Sequence, residues 1–243
     1  MRSDLGDKLL GTSGKGLSLS REELARRIDH TVLKPNTTAA DVARVCGEAV
    51  TFNFWSVCVG PYFVRRVSQL LTGTDIKVSV VVGFPFGFAE PKTKVDEARI
   101  AIEQGADEID AVMNISAFKS RDYDTVKEEV ELLADSCRSE NKLLKIILEC
   151  CYLTDDEKIS AAGIVEKAGG DFVKTSTGFG SGGATVEDVR LLRRFLSGRV
   201  RIKAAGGIGS AEKALSMIMA GADRIGTSSG TKIMDEWADT LQR

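Results

Sequence analysis

The sequence predicts a single (β/α)8 barrel, and two observations support that prediction. Short apolar segments of strand type alternate eight times with segments of helical periodicity. The chain has 243 residues, which is close to the usual length of such a barrel. An open, doubly wound sheet is the alternative that the same alternation allows. We expect a short N-terminal extension and helix, with residues 1–19 as a flexible tail and residues 20–243 as the barrel domain.

The predicted strands are short and rich in aliphatic residues. They are Ile28–Leu33, Phe54–Val59, Val78–Phe84, Glu108–Met113, Leu144–Cys150, Phe172–Thr177, Arg201–Ala205 and Arg224–Ser228. The predicted helices are Ala39–Val50, Pro61–Leu71, Pro91–Gln104, Asp122–Glu140, Asp155–Ala168, Val186–Leu196, Ala211–Ala220 and Lys232–Leu241. A capping-box pattern from Thr154 to Glu157 marks one helix start.

Three helix ends share one pattern, in which glycine ends the helix and aspartate precedes the next strand. The pattern reads QGAD at 104–107, AGGD at 168–171 and AGAD at 220–223. Its recurrence predicts a repeated helix–strand unit with short connections, as a closed barrel requires.

Composition excludes several classes of function. The charges nearly balance, with 33 basic and 35 acidic residues and a net charge of −2, so nothing favours binding to nucleic acid or to an anionic membrane. A single histidine, His30, excludes a histidine-based metal cage, and its strand position predicts a structural role. The five cysteines form no Cys-x-x-Cys pair, which indicates reduced thiols in the cytoplasm. We expect neither a metal nor a cofactor.

Two lysines, Lys174 and Lys203, lie inside apolar strands. Burying an ammonium group is costly unless it is paired or neutralised. A lysine beside another cation loses its proton more easily and becomes a nucleophile. The two lysines therefore indicate Schiff-base chemistry.

Strand parity extends this argument to carboxylates, because side chains alternate between the lumen and the helix layer. If the helices cover the apolar set, the lumen gathers Asp29, Asp110, Glu149, Lys174 and Lys203. A buried ion network with only a structural role is the alternative, since parity alone does not separate the two.

The last two predicted strands end in small residues, at Gly206-Gly207 and from Gly226 to Gly230. In a barrel of this type, the loops after strands seven and eight commonly bind phosphate through backbone N–H groups. Ordinary tight turns are the alternative for these glycines. The position favours a phosphate site.

Several segments together resemble the deoxyribose-phosphate aldolase family. They read IDHTVLKP at 28–35, EIDAVMNI at 108–115, VKTSTGFG at 173–180 and KAAGGI at 203–208, with VCVGP at 57–61 and VGFPFG at 82–87 in support. The resemblance runs from about Arg21 to Thr231. It implies a class I aldolase without metal, which cleaves 2-deoxy-D-ribose 5-phosphate to D-glyceraldehyde 3-phosphate and acetaldehyde.

The resemblance also implies roles for individual residues. Lys174 is the Schiff-base lysine, Lys203 is the neighbouring cation, Asp110 moves protons through water, and Asp29 belongs to the same relay. The residues implied for the substrate and its phosphate are Thr177, Gly178, Gly206, Gly207, Gly226, Ser228 and Ser229. Phe179 stands where some members of the family carry a lysine beside the phosphate.

Other functions remain open at this point. Another Schiff-base barrel lyase acting on a longer ketose or keto acid uses similar residues, as does transaldolase-like chemistry. A phosphosugar-binding barrel without catalysis is the alternative from a different class. We expect small phosphorylated sugars and aldehydes as ligands and a homo-oligomer, a dimer or a tetramer. Cys58 is expected near the site, either as the thiol most open to an aldehyde or as a small buried hydrophobic residue.

Overall fold

All strands are parallel in the computed structural model, which describes residues 19–240 and the side chains of residues 19–237. The strands are β1 (Ile28–Val32), β2 (Ser56–Val59), β3 (Lys77–Val82), β4 (Glu108–Val112), β5 (Leu143–Ile147), β6 (Phe172–Lys174), β7 (Arg201–Ala205) and β8 (Arg224–Thr227). They follow one another in chain order, and β8 pairs with β1. The closed barrel is confirmed, and the open sheet is excluded.

Helices connect successive strands and cover the outside of the barrel. The helices of the described residues are α1 (Arg21–Ala25), α2 (Ala39–Phe52), α3 (Val64–Leu70), α4 (Pro91–Glu103), α5 (Ile115–Lys119), α6 (Tyr123–Ser139), α7 (Asp155–Lys167), α8 (Val186–Phe195), α9 (Ala211–Met219) and α10 (Gly230–Thr240). No helix within residues 19–240 is long and apolar enough to cross a membrane. The predicted tail lies outside the described residues, except for its last residue, Leu19.

The structure corrects the predicted boundaries in three respects. The helix predicted from Pro61 begins as a 3-10 turn over Pro61–Phe63, and the regular α-helix starts at Val64. The short helix α5 was not predicted, and the Asn114 side chain caps it by accepting from the Ala117 N–H. Strands β5 and β6 end three residues earlier than predicted, at Ile147 and Lys174.

The three Gly–Asp helix ends form a repeated connection at the amino-terminal end of the barrel. Their glycines, Gly105, Gly169 and Gly221, have φ values of 105°, 93° and 113°, where a side chain is strained. Each following aspartate accepts a hydrogen bond from a backbone N–H of the preceding strand. The pairs are Asp107 with Val78 (3.0 Å), Asp171 with Leu144 (2.9 Å) and Asp223 with Ile202 (2.8 Å). These clips tie β3 to β4, β5 to β6 and β7 to β8.

Alternate strand residues face the helices and build the hydrophobic core. Val80, Ile109, Ile146 and Ile202 belong to this layer and are fully buried. The residues of opposite parity face the lumen, and many of them are charged. The apolar layer therefore stabilises the barrel, while the lumen is free to hold polar groups.

A buried ion pair outside the lumen fixes the carboxyl end of β4. The Lys94 ammonium of α4 donates to the Val112 carbonyl at 2.7 Å and to the Glu129 carboxylate of α6 at 2.6 Å. The second oxygen of Glu129 accepts from the Asn114 N–H at 3.0 Å. Both charged side chains are fully buried. The pair therefore joins two helices to the backbone at the rim of the barrel.

We expect Lys94→Met to lower the free energy of unfolding by about 3–5 kcal/mol, because Glu129 then remains buried without its partner. Urea unfolding followed by circular dichroism measures this change. Lys94→Met combined with Glu129→Leu is expected to recover most of the loss. The control is Lys127→Met, which breaks an exposed pair with Glu131 at 3.4 Å. Equal losses in Lys94→Met and Lys127→Met would contradict the assignment.

Candidate active site

The centre of the lumen is the carboxylate of Asp110, which accepts from four donors. One oxygen of Asp110 accepts from the Lys145 ammonium at 2.6 Å and from the Ser79 hydroxyl at 3.2 Å. The other oxygen accepts from the ammonium groups of Lys174 at 2.9 Å and Lys203 at 2.8 Å. All five side chains are buried. Lys174 and Lys203 are therefore held beside each other by a single oxygen atom.

The register of the barrel explains this arrangement. Lys174 of β6 lies directly beside Lys203 of β7, and Asp110 of β4 lies directly beside Lys145 of β5. Paired residues in neighbouring strands point to the same side of a sheet. The register therefore places all four side chains in the lumen.

A second set of contacts surrounds the first and closes the network. Asp29 of β1 contacts Lys203 at 2.5 Å and the Arg224 guanidinium at 3.3 Å. Glu108 of β4 contacts Lys145 at 2.6 Å and Arg224 at 2.8 Å. Each of the three cations Lys145, Lys203 and Arg224 therefore contacts two carboxylates. Buried charges of this kind are stable only when they are paired in this way.

Lys174 differs from the other cations of the network in two ways. It contacts one carboxylate, Asp110, whereas Lys145, Lys203 and Arg224 each contact two. It is the member of these four that lines the open cleft above the lumen. The network, as far as the described residues show it, has four basic side chains and three carboxylates, an excess of one positive charge when all seven are ionised. The geometry thus makes Lys174 the amine of the network that a molecule in the cleft can reach.

The pKa values of the neighbouring groups keep those groups charged. Burial alone would raise the pKa of Asp110, but Lys145, Lys174 and Lys203 hold it well below its usual range. Burial alone would lower the pKa of Lys203, but Asp110 and Asp29 outweigh burial and raise it. Lys203 is therefore an ammonium ion at neutral pH. A permanent cation thus lies next to Lys174 on the same oxygen of Asp110.

Of the five residues that parity places in the lumen, four come together as predicted. Asp29, Asp110, Lys174 and Lys203 form one connected network. Glu149 does not join it through any contact of the described residues, which is a correction. Strand β5 ends at Ile147 and Glu149 has a left-handed φ of 53°, so strand parity no longer applies to it. Its carboxylate instead accepts from the N–H and hydroxyl of Thr177.

Sequence reasoning missed three members of the network, Lys145, Glu108 and Arg224. The sequence does contain a pattern that could have identified Lys145 and Glu108. Lys145 lies inside an apolar strand as Lys174 does, and Glu108 has the parity of Asp110. Arg224 is the register partner of Lys203, which only the paired strands reveal. Half-buried Trp55 completes this layer, since its indole N–H donates to Glu108 at 2.7 Å and the Arg224 guanidinium lies 4.3 Å from the ring centre.

A cleft of about 870 Å³ opens above the network at the carboxyl ends of the strands. It is lined by all seven residues expected to bind substrate, namely Thr177, Gly178, Gly206, Gly207, Gly226, Ser228 and Ser229. Gly178, Gly206 and Gly207 have positive φ values of 86°, 90° and 71°, a conformation that favours glycine. Gly226 has a further reason to be glycine, because a Cβ there would lie 3.0 Å from the Lys203 side chain.

His30 and Cys58 lie beside the site without lining the cleft. His30 is buried, and its Nε2 lies 2.6 Å from a carboxylate oxygen of Glu48. Cys58 is fully buried and burial raises the pKa of its thiol, which agrees with a small buried residue and not with an open thiol. The partly exposed cysteine is Cys151. Nowhere in the described part of the chain do His, Cys, Asp and Glu side chains group in threes as a metal site requires.

Known proteins resemble this chain in sequence and in fold over nearly its whole length. The family model described as DeoC/LacD family aldolase matches residues 24–236. A deoxyribose-phosphate aldolase of Thermococcus gammatolerans is 50% identical over 215 residues, which cover 88% of this chain and 96% of that protein. The corresponding protein of Caldanaerobacter subterraneus subsp. tengcongensis is 51% identical over 224 residues, covering 90% and 97%. The tetrameric structure of deoxyribose phosphate aldolase from Aeropyrum pernix is 33% identical with a TM-score of 0.86, covering 91% of this chain and 93% of that one.

The depressed pKa values predict how stability depends on pH. Asp110 and Glu108 have lower pKa values in the folded protein than in the unfolded chain. Their stabilisation is therefore fully present above the unfolded pKa values of about 3.9–4.3 and is lost as pH falls below them. We expect the free energy of unfolding, measured by urea titration, to fall by at least about 2 kcal/mol between pH 5 and pH 2.5.

Asp110→Asn is expected to make the free energy of unfolding depend less steeply on pH, because one carboxylate with a lowered pKa is removed. Asp135→Asn changes an exposed carboxylate that pairs with Arg138 at 2.9 Å, and it serves as the control with an unchanged slope. Equal slopes in wild type and Asp110→Asn would contradict the pKa assignment.

Proposed function

Because the chain belongs to the DeoC/LacD family of aldolases, we propose that it cleaves 2-deoxy-D-ribose 5-phosphate reversibly to D-glyceraldehyde 3-phosphate and acetaldehyde. One observation supports this most directly. Lys174 is the least paired cation of a buried network, and it lines the cleft. A lysine in that position is suited to attack a carbonyl carbon and form a Schiff base.

The first step joins Lys174 to the open-chain sugar. The neutral amine attacks the aldehyde carbon C1, and the carbinolamine then loses water to give a positively charged iminium. The amine gives one of its two protons to the oxygen, which takes a second proton from solvent and leaves as water, while the iminium nitrogen keeps the other proton. The Asp110 oxygen that lies 2.9 Å from the Lys174 nitrogen is placed to carry these protons through water.

The second step breaks the bond between C2 and C3. Its electron pair moves to the C1–C2 bond and neutralises the iminium, which leaves an enamine rather than a free carbanion. The C3 hydroxyl loses its proton and becomes the aldehyde of glyceraldehyde 3-phosphate. Protonation of the enamine at C2 and addition of water then release acetaldehyde and restore the Lys174 amine.

Lys203 and Asp29 assist this chemistry in different ways. The Lys203 ammonium competes for the same Asp110 oxygen as Lys174 and thereby favours the neutral amine. Asp29 contacts Lys203 at 2.5 Å and holds it in position, and it extends the path for protons. Burial alone would raise the pKa of Asp29, but Arg224 and Lys203 keep it low, so Asp29 stays ionised.

We also propose a homo-oligomer that works in the cytoplasm. Tyr62, Phe86 and Phe88 are large apolar side chains that are mostly exposed, as the surface between two copies requires. The relative from Aeropyrum pernix is described as tetrameric. The five cysteines are unpaired, which fits a reducing compartment.

Reductive trapping tests the Schiff base. With acetaldehyde and borohydride, we expect an ethyl group of about 28 Da on the peptide that contains Lys174, because reduction fixes the iminium as a stable amine. Intact mass and peptide mapping measure the adduct. Lys174→Ala is expected to lose both the adduct and the cleavage activity. Lys127→Ala, an exposed lysine, is the matched control. An adduct that persists in folded Lys174→Ala would overturn the assignment.

Lys203→Met tests the role of the neighbouring cation. Without the Lys203 charge, Asp110 and Asp29 hold the Lys174 proton more strongly, so we expect trapping at pH 7 to slow by about 10²-fold. The measurement is the rate of adduct formation at pH 7 and pH 9. The difference in rate between wild type and Lys203→Met is expected to be smaller at pH 9. Lys203→Arg keeps the charge and is expected to recover part of the rate. If Lys203→Met is slower than wild type by the same factor at both pH values, Lys203 acts in another way.

A further inference from the structure

The end of the cleft proposed to bind the phosphate lacks a cation at residue 179. Phe179 follows Gly178, and its ring packs edge-on against Phe84, with the ring centres 5.3 Å apart. It therefore offers an apolar contact at this rim and no charge. A phosphate group is bound most strongly by charge-assisted hydrogen bonds. The positive charge for this end of the cleft must come from elsewhere in the fold.

Lys213, on the first turn of α9, brings its ammonium to the glycines of this end. Its nitrogen lies 3.6 Å from the position that a Cβ on Gly207 would occupy. Gly207 itself lines the cleft. The Lys213 ammonium makes no ion pair or hydrogen bond with any of the described residues. It is a cation beside the glycine loop that no anion contacts within the described part of the chain.

Lys34 brings a second ammonium from another wall of the same cleft. It lies on the loop between β1 and α2, lines the cleft and is exposed. Its side chain also has no partner among the described residues. Arg44 lines the cleft nearby but donates to Glu48 at 2.6 Å, and Lys232 beyond the β8 loop pairs with Glu236 at 3.5 Å. Those two cations already have carboxylate partners, whereas Lys34 and Lys213 have none among the residues that the structure describes.

We propose that Lys213 and Lys34 recognise the 5-phosphate of the substrate in place of a cation at position 179. The backbone N–H groups of Gly206 and Gly207 provide a neutral cradle, and the two lysines neutralise the dianion from either side. Long, flexible lysine side chains reach such a group without strain. This assignment deepens the proposed function and rests on it. It makes Lys213 and Lys34 residues of substrate specificity rather than of bond cleavage.

The test compares two substrates that differ only in the phosphate. The values of kcat/KM are measured for 2-deoxyribose 5-phosphate and for 2-deoxyribose with wild type, Lys213→Gln, Lys34→Gln and the double variant. The ratio of interest is kcat/KM for 2-deoxyribose 5-phosphate divided by kcat/KM for 2-deoxyribose. We expect each single change to lower this ratio by about tenfold, and the double change to lower it by about 10²-fold. The loss is expected mainly in KM for the phosphorylated sugar.

Two further variants and one inhibitor sharpen the comparison. Lys213→Arg keeps the charge and is expected to restore most of the ratio. Lys127→Gln removes an equally exposed lysine from α6 and leaves the ratio unchanged, which controls for net charge. Inorganic phosphate, assayed against cleavage of 2-deoxyribose, is expected to inhibit the double variant at least about tenfold less strongly than wild type.

Distinct results would overturn each proposal. An unchanged ratio in a single variant overturns the assignment of that lysine, and an equal loss for both substrates shows a structural effect instead of phosphate recognition. If wild type gives the acetaldehyde adduct on Lys174 and cleaves both sugars, the proposed function stands whatever the lysine variants show. If it gives neither adduct nor cleavage, the proposed function itself fails.

Discussion

The buried carboxylate of Asp110 is the interaction on which the rest of the site depends. Removing charges from water is costly, so three lysines enter the lumen only because carboxylates meet them there. Asp110 contacts all three, and Asp29 and Glu108 complete the pairing from neighbouring strands. The strand register brings these groups together, because it places one charged side chain beside the next around the barrel. The same network that the fold requires for stability thus leaves Lys174 as its least satisfied member.

This imbalance suits the proposed reaction, in which the charge on one nitrogen appears and disappears. The amine and the enamine are neutral at Lys174, whereas the iminium is positive. Because Asp110 lies 2.9 Å from that nitrogen, the positive intermediate meets a carboxylate already in place. Lys203 stays charged throughout and contacts the same Asp110 oxygen as Lys174. Neither residue has to move for the charge to change.

The sequence predicted the barrel well because periodicity and Gly–Asp joints are local signals. Parity identified Lys174, Lys203, Asp110 and Asp29 because a strand fixes which side each residue faces. The same rule failed at Glu149, where the backbone turns into a left-handed conformation beyond the end of β5. Arg224 and Lys213 show a second limit of prediction from local sequence patterns. Arg224 enters the network through pairing of strands, and Lys213 reaches Gly207 from a helix, so neither contact is written in a local pattern.

The aspartate clips at the amino-terminal end have a consequence for how such a protein changes over evolution. Asp107, Asp171 and Asp223 tie strands together at the end of the barrel opposite the cleft. Three of the eight strand pairs of the barrel are therefore fastened by loops that lie away from the cleft. The loops of the opposite end, including those that carry Lys34 and Phe179, are free to vary in sequence without weakening those strand pairs. The fold separates what must be inherited unchanged from what selection can alter to admit a new sugar.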